Sequence, residues 1–135
     1  MNKVSVRFKS RVGGENFVKN YLGEEIESDK GDKFTYTDNI GDEETVTTLT
    51  VGDDYLRVET VGAYFAEYEY FIGKKFVGEM RTVCGAVPIE IHTDKLEIER
   101  RGVFVRIKAE YECNLGGEIS RNEFEITIFR RGKVC

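Results

Sequence analysis

The stretch VFVRIKAEYEC, residues 103–113, decides the fold. Val103, Val105, Ile107, Ala109, Tyr111 and Cys113 share one parity, while Arg106, Lys108, Glu110 and Glu112 take the other. A period of two with one apolar and one charged face describes a half-buried β-strand. NLGGE follows, and Gly116 and Gly117 can supply the positive φ angles that a tight hairpin turn requires. The return segment EISRNEFEITIFR turns Phe124, Ile126 and Ile128 inward, against Glu123, Glu125 and Thr127.

The same grammar runs upstream. KVSVRFKSRV buries Val4, Val6 and Phe8; DKFTYTDN offers Phe34 and Tyr36. ETVTTLTV, the turn GDD and YLRVETVG make another hairpin, with Leu56 and Val58 of like parity. AYFAEYEYF then turns at IGKK into FVGEMRT, and VPIEIHT continues into KLEIERR. Apolar parity switches between Ile91 and Leu96, which predicts a β-bulge near Thr93 to Lys95. Only ENFVKNYLGEEI, residues 15–26, resists: Phe17, Val18, Tyr21, Leu22 and Ile26 sit at helical spacing, so a short helix and a strand fit it equally. Nine or so strands joined in series by turns predict an all-β protein with at most one short helix. An up-and-down antiparallel barrel is favoured over a sandwich, because closure removes exposed strand edges.

Composition agrees. The 135 residues fit one domain, residues 1–135, long enough for a single core without disulfide or metal staples. A net charge of -5 and only short basic pairs, Lys74-Lys75, Arg100-Arg101 and Arg130-Arg131, argue against a nucleic-acid partner. No apolar run approaches the roughly 20 residues of a membrane-spanning helix, and MNKVSVRFKS lacks the apolar block of a signal peptide. A cytoplasmic protein without membrane association is expected. The three cysteines fit neither a disulfide framework nor a zinc pattern, so Cys84 and Cys113 read as reduced thiols; Cys135, with nothing after it, fits no prenylation box.

RTVCGAVPIEIHTDKLEIE and GVFVRIKAEYECNLGGEISRNEFEITI resemble the C-terminal half of the YwiB-like family, bacterial domains of unknown function. Thr82, Gly85, Thr93, Tyr111, Asn122 and Ile126 occupy that family's pattern positions, and the resemblance extends more loosely back to Asp32. It implies a calycin, or lipocalin-like, β-barrel and no particular reaction. Val83 stands where the family has proline, Cys84 replaces its aromatic residue, and Thr60 replaces an arginine, whose role therefore does not carry over.

CGAVPIEIHT holds the sole histidine, the sole proline and a cysteine. A Cys84 nucleophile with His92 as base would require hydrogen-bond contact, yet eight residues of extended strand separate them by more than 20 Å at roughly 3.3 Å per residue. A hydrolase on Cys84 is thus the weakest reading, and no catalytic residue is assigned. One histidine and solvent-facing carboxylates such as Glu67, Glu69, Glu97 and Glu99 give no metal site, and no cofactor motif is present. The stronger signal is aromatic. Tyr64, Tyr68 and Tyr70 share the inward face with Ala66, and Gly78, Met80, Ala109 and Tyr111 join them from other strands. Small residues mixed with amphipathic rings predict a cavity for a small, partly apolar ligand, lined by Tyr64, Tyr68, Met80 and Tyr111. The expectation is a non-enzymatic binding barrel; the alternative is a filled barrel acting as an interaction module or homodimer.

Overall fold

The computed structural model describes residues 2–29 and 31–131. Cys135, which fits no prenylation box, lies outside them. Every element among the described residues is a strand: β1 (Asn2–Val12), β2 (Glu15–Ile26), β3 (Asp32–Ile40), β4 (Glu43–Val51), β5 (Leu56–Val61), β6 (Phe65–Tyr70), β7 (Lys75–Thr82), β8 (Gly85–Arg101), β9 (Phe104–Leu115) and β10 (Glu118–Arg130). Each strand pairs antiparallel with the next in sequence, and β10 pairs with β1 from Val4↔Arg130 to Val12↔Asn122, closing an up-and-down barrel. Ten strands form where nine or so were expected.

The local rules that predict these strands also set their register. Gly116 and Gly117 take φ of 60° and 98° in the β9–β10 turn, and the ladder runs from Glu118↔Leu115 to Phe129↔Phe104. The predicted bulge is present: the β8–β9 register slips between Thr93 and Lys95, so Asp94 is extra and parity flips. Ile89 and Ile91 before it, and Leu96 and Ile98 after it, therefore all pack on the core.

Residues 15–26 form a strand. Its helical spacing was misleading because Phe17, Val18 and Leu22 are 50%, 50% and 70% exposed, so they never formed a core-facing stripe. What holds the segment is a full backbone ladder with β1, from Asn2↔Glu25 to Val12↔Glu15. On its other side β2 bonds β3 only from Gly23↔Tyr36 to Ile26↔Lys33. Gly23 makes that approach feasible, since a β-carbon there would collide with the Thr35 carbonyl oxygen. Pairing between β6 and β7 is shorter still, restricted to Phe65↔Arg81 and Ala66↔Met80.

The core lies toward one end of the barrel. Val4, Phe34, Leu49, Leu56, Ile107 and Ile128 are almost completely removed from water there. That end, which carries the β2–β3, β4–β5, β6–β7 and β8–β9 loops, is closed by ions. Arg130 grips Glu25 in a fork of 2.9 and 3.1 Å, sits 3.6 Å from Asp32 and covers the Phe34 ring at 5.7 Å. Arg100 bonds Asp32 at 2.8 Å and the carbonyls of Val51 and Gly52. Planar guanidinium forks suit this role because each satisfies several acceptors at once.

Candidate ligand site at the tyrosine end of the barrel

The opposite end, with the five hairpin turns, has no arginine fork among the described residues; its inward-parity ion pair is Lys19 with Asp38. Several inward-facing residues here, Tyr21, Tyr64, Tyr68 and Met80 among them, are amphipathic and only partly buried, beside the fully buried Ala66, Thr45 and Thr60. Tyr68 on β6 donates its phenol toward Met80 Sδ on β7 at 3.8 Å, across the short β6–β7 seam. Tyr64 lies close enough to Tyr21, Tyr36 and Tyr68 to oppose ionisation of all three, and Tyr111 and Cys113 on β9 act likewise on Tyr68. The four residues singled out from sequence, Tyr64, Tyr68, Met80 and Tyr111, are thus drawn into one neighbourhood.

The structure adds partners that parity alone did not select. Tyr21 stacks on Tyr36 with centroids 4.4 Å apart and donates to Asp38 Oδ2 at 3.3 Å, while Lys19 Nζ lies 3.6 Å from the same carboxylate. These side chains bridge β2 and β3 where the backbone ladder has ended. Tyr21 was hidden in the segment whose periodicity was ambiguous. Tyr70 forms the floor: fully enclosed, it meets Tyr111 and Phe124 edge-on at 5.1 Å each and shares a hydrogen bond with the Tyr111 phenol.

Burial is the main reason these phenols resist ionisation. It pushes Tyr36 up to about 12 and raises Tyr21, Tyr68, Tyr70 and Tyr111 as well; the Asp38 carboxylate adds to the shift at Tyr21. Burial likewise raises the Cys113 thiol. The cluster therefore presents neutral hydroxyls, aromatic faces and soft sulfur. Such surfaces contact apolar groups while offering a few oriented hydrogen bonds.

Cys84 and His92 stay apart. Cys84 is exposed in the β7–β8 turn, where its N–H donates to Thr82 Oγ1 at 3.1 Å. His92 pairs with Lys75 at the far end of the same ladder, facing outward, with Nδ1 3.3 Å from Asp94. Glu67 and Glu69 are both occupied by the Arg57 guanidinium at 3.1 Å. On the outer face, an open groove of about 720 Å³ runs past Lys9, Val18, Lys95 and Glu125, away from the tyrosines.

The positions that carried the family resemblance divide by role. Thr82 also donates to the Gly85 carbonyl at 3.3 Å, and Gly85 has φ of 121°, so this pair shapes the β7–β8 turn. Ile126 is core. Thr93, Tyr111 and Asn122 face inward side by side on β8, β9 and β10, through the pairs Thr93↔Tyr111 and Tyr111↔Asn122.

In the comparison with solved structures, the chain is similar to the ywiB protein from Bacillus subtilis, with a TM-score of 0.82 at 15% identity, covering 96% of this chain and 92% of that one. At that identity the likeness establishes the barrel fold alone. No curated protein matches. A family model described as a domain of unknown function, DUF1934, matches residues 3–128, which extends the resemblance read from sequence back to the first strand. The chain therefore belongs to this YwiB-like family of domains of unknown function.

Proposed function

We propose that this protein is a non-enzymatic binding barrel that takes a small, partly apolar ligand at its tyrosine end. The observation that carries the reading is the asymmetry of the two ends. One is sealed by the Arg130 and Arg100 ion pairs; the other turns Tyr21, Tyr64, Tyr68, Met80 and Cys113 inward while leaving each accessible to water. A barrel evolved only to be filled gains nothing from keeping rings and sulfur half wet, since complete burial of such side chains stabilises by about 1.5–3 kcal/mol each. The lipocalin-like barrel that the sequence resemblance implies supports the same role by analogy.

Reduced Cys84 and Cys113 support a cytoplasmic setting. No helix among the described residues is long and apolar enough to cross a membrane. Outer-face cations such as Arg57, Arg106 and Arg121 are engaged by carboxylates, which weighs against a phosphate-tracking surface.

Two measurements test the reading. Native mass spectrometry of the gently purified protein should show a bound small molecule, and the neutral fluorophore N-phenyl-1-naphthylamine should bind saturably with enhanced emission. Met80→Trp, which fills the mouth, should abolish the fluorophore signal. Binding that survives Met80→Trp would locate the probe elsewhere, for instance in the outer groove, and refute the assignment.

One observation favours a second role alongside the first, as a homodimer through β2. Residues 15–22 lack a β3 partner, and Phe17, Val18 and Leu22 are exposed along this free edge. An antiparallel copy centred on Phe17 would set Glu15 opposite Lys19 of the second chain, a self-complementary pairing. Val18→Pro removes a ladder donor and should convert a dimer to monomer by sedimentation equilibrium. A wild-type monomer at high concentration would dispose of the idea.

A further inference from the structure

Resting on the ligand reading of the tyrosine end, we infer that Thr93, Tyr111 and Asn122 form its polar subsite, selecting an uncharged head group that carries an N–H or O–H donor. Thr93 is 1% exposed, yet its Oγ1 has no hydrogen-bond partner. Asn122 Nδ2 donates to Ser120 Oγ at 3.1 Å, and the amide also bonds the Tyr111 phenol; its Oδ1 is buried without a partner. The two orphans flank one tyrosine on three neighbouring strands, on the inward face.

Buried hydroxyl and carbonyl groups without partners are costly, so two together describe a place built to be filled by polar atoms. The Asn122 carbonyl only accepts, and the Thr93 hydroxyl accepts as readily as it donates, so the complementary group is a donor. It is also neutral. The ions carried by these strand segments point outward and bind one another: Arg121 holds Asp94 at 2.8 Å and Glu112 at 3.6 Å, and Lys95 holds Glu110 at 3.6 Å. Inward beside the orphans lie Tyr68, Tyr70 and Phe124, and the Asp38 carboxylate at this end is already held by Tyr21 and Lys19, so a charged head group would be desolvated without a free counter-ion. An amide, alcohol or secondary amine on an apolar body fits.

The experiment compares N-phenyl-1-naphthylamine, which has one N–H between two apolar rings, with 1-phenoxynaphthalene, in which an ether oxygen replaces it. The ether is scored by displacement of the fluorophore. Wild-type protein should prefer the amine by about tenfold or more, the discrimination expected when a buried acceptor loses its donor. Thr93→Val and Asn122→Leu should each erase that preference by weakening the amine and sparing the ether, and Thr93→Ser should restore it. If the amine binds the mouth but none of these changes alters the preference, the orphans serve a buried water, and the subsite falls while the ligand reading stands. If neither probe binds in a Met80→Trp-sensitive manner, the ligand reading falls and takes the subsite with it. Thr93→Val is nearly isosteric, so it remains informative if Asn122→Leu fails to fold.

Discussion

Replacing Arg130 by methionine opens the ion-sealed end, removing the guanidinium that lies over Phe34 while keeping an apolar side chain at the position. The guanidinium bonds Glu25 at 2.9 and 3.1 Å, and the two side chains are only 15% and 19% exposed, so the pair is largely removed from solvent. Asp32 retains Arg100 at 2.8 Å after the substitution, whereas Glu25 is left as an unpaired, mostly buried carboxylate. Breaking a buried pair by deleting one partner costs ~3–5 kcal/mol, and the residual exposure places this one near the lower bound. With a urea slope of about 2 kcal/mol per molar, a loss of about 3 kcal/mol moves the unfolding midpoint down by roughly 1.5 M. Glu25→Gln in the Arg130→Met background removes the stranded charge and should recover about half of the loss; the double-mutant cycle should show about 2 kcal/mol of coupling that survives 1 M salt. A loss below about 1 kcal/mol with coupling abolished by salt would mean an ordinary surface ion pair, and the account of how this end is closed would be wrong.

Raised phenol pKa values mean that the fold favours the neutral form, so their contribution is complete below the ordinary value of 10 and is lost as pH rises through the folded values. Tyr36, which ionises at about 12, should itself contribute a fall of about 1.4 kcal/mol per pH unit between 10 and 12, read as the difference between wild type and Tyr36→Phe in urea titrations at each pH. A flat profile over that window would contradict the burial of the tyrosine cluster. Gly23→Ala should push β2 away from β3 at their short ladder and cost roughly 1–3 kcal/mol, with hydrogen exchange accelerated at Gly23–Ile26. Unchanged exchange there would show that the seam tolerates a side chain. Iodoacetamide should alkylate the exposed Cys84 first and the half-buried Cys113 slowly, and N-phenyl-1-naphthylamine should protect Cys113 alone, as read by peptide mass mapping. Equal rates at both thiols would remove Cys113 from the mouth.

Much of the architecture was legible in the chain because a strand's side-chain period depends only on local geometry. Alternation through Val103–Cys113 and Phe124–Ile128 assigned faces, Gly116-Gly117 marked a turn, and a parity switch located the Thr93–Lys95 slip, all without knowledge of the partner strands. Parity also brought Tyr64, Tyr68, Met80 and Tyr111 to the interior. It could not set their depth: Tyr68 and Tyr70 share a face, yet Tyr70 is sealed beneath Phe124 while Tyr68 reaches the mouth.

Contacts between segments distant in sequence were decided by the tertiary structure alone. Residues 15–26 became a strand because β1 offered a continuous row of hydrogen-bonding groups, outweighing a helical pattern with no core to face. Arg130 meets Glu25, and the orphans of Thr93 and Asn122 flank Tyr111, only because the barrel closes with one particular stagger. Outside β2, sequence by itself determined which face of a strand is dry, a property of neighbouring residues. Which end of the barrel the arginine forks close and which end the tyrosines line depends on register, and register exists only once the strands have paired.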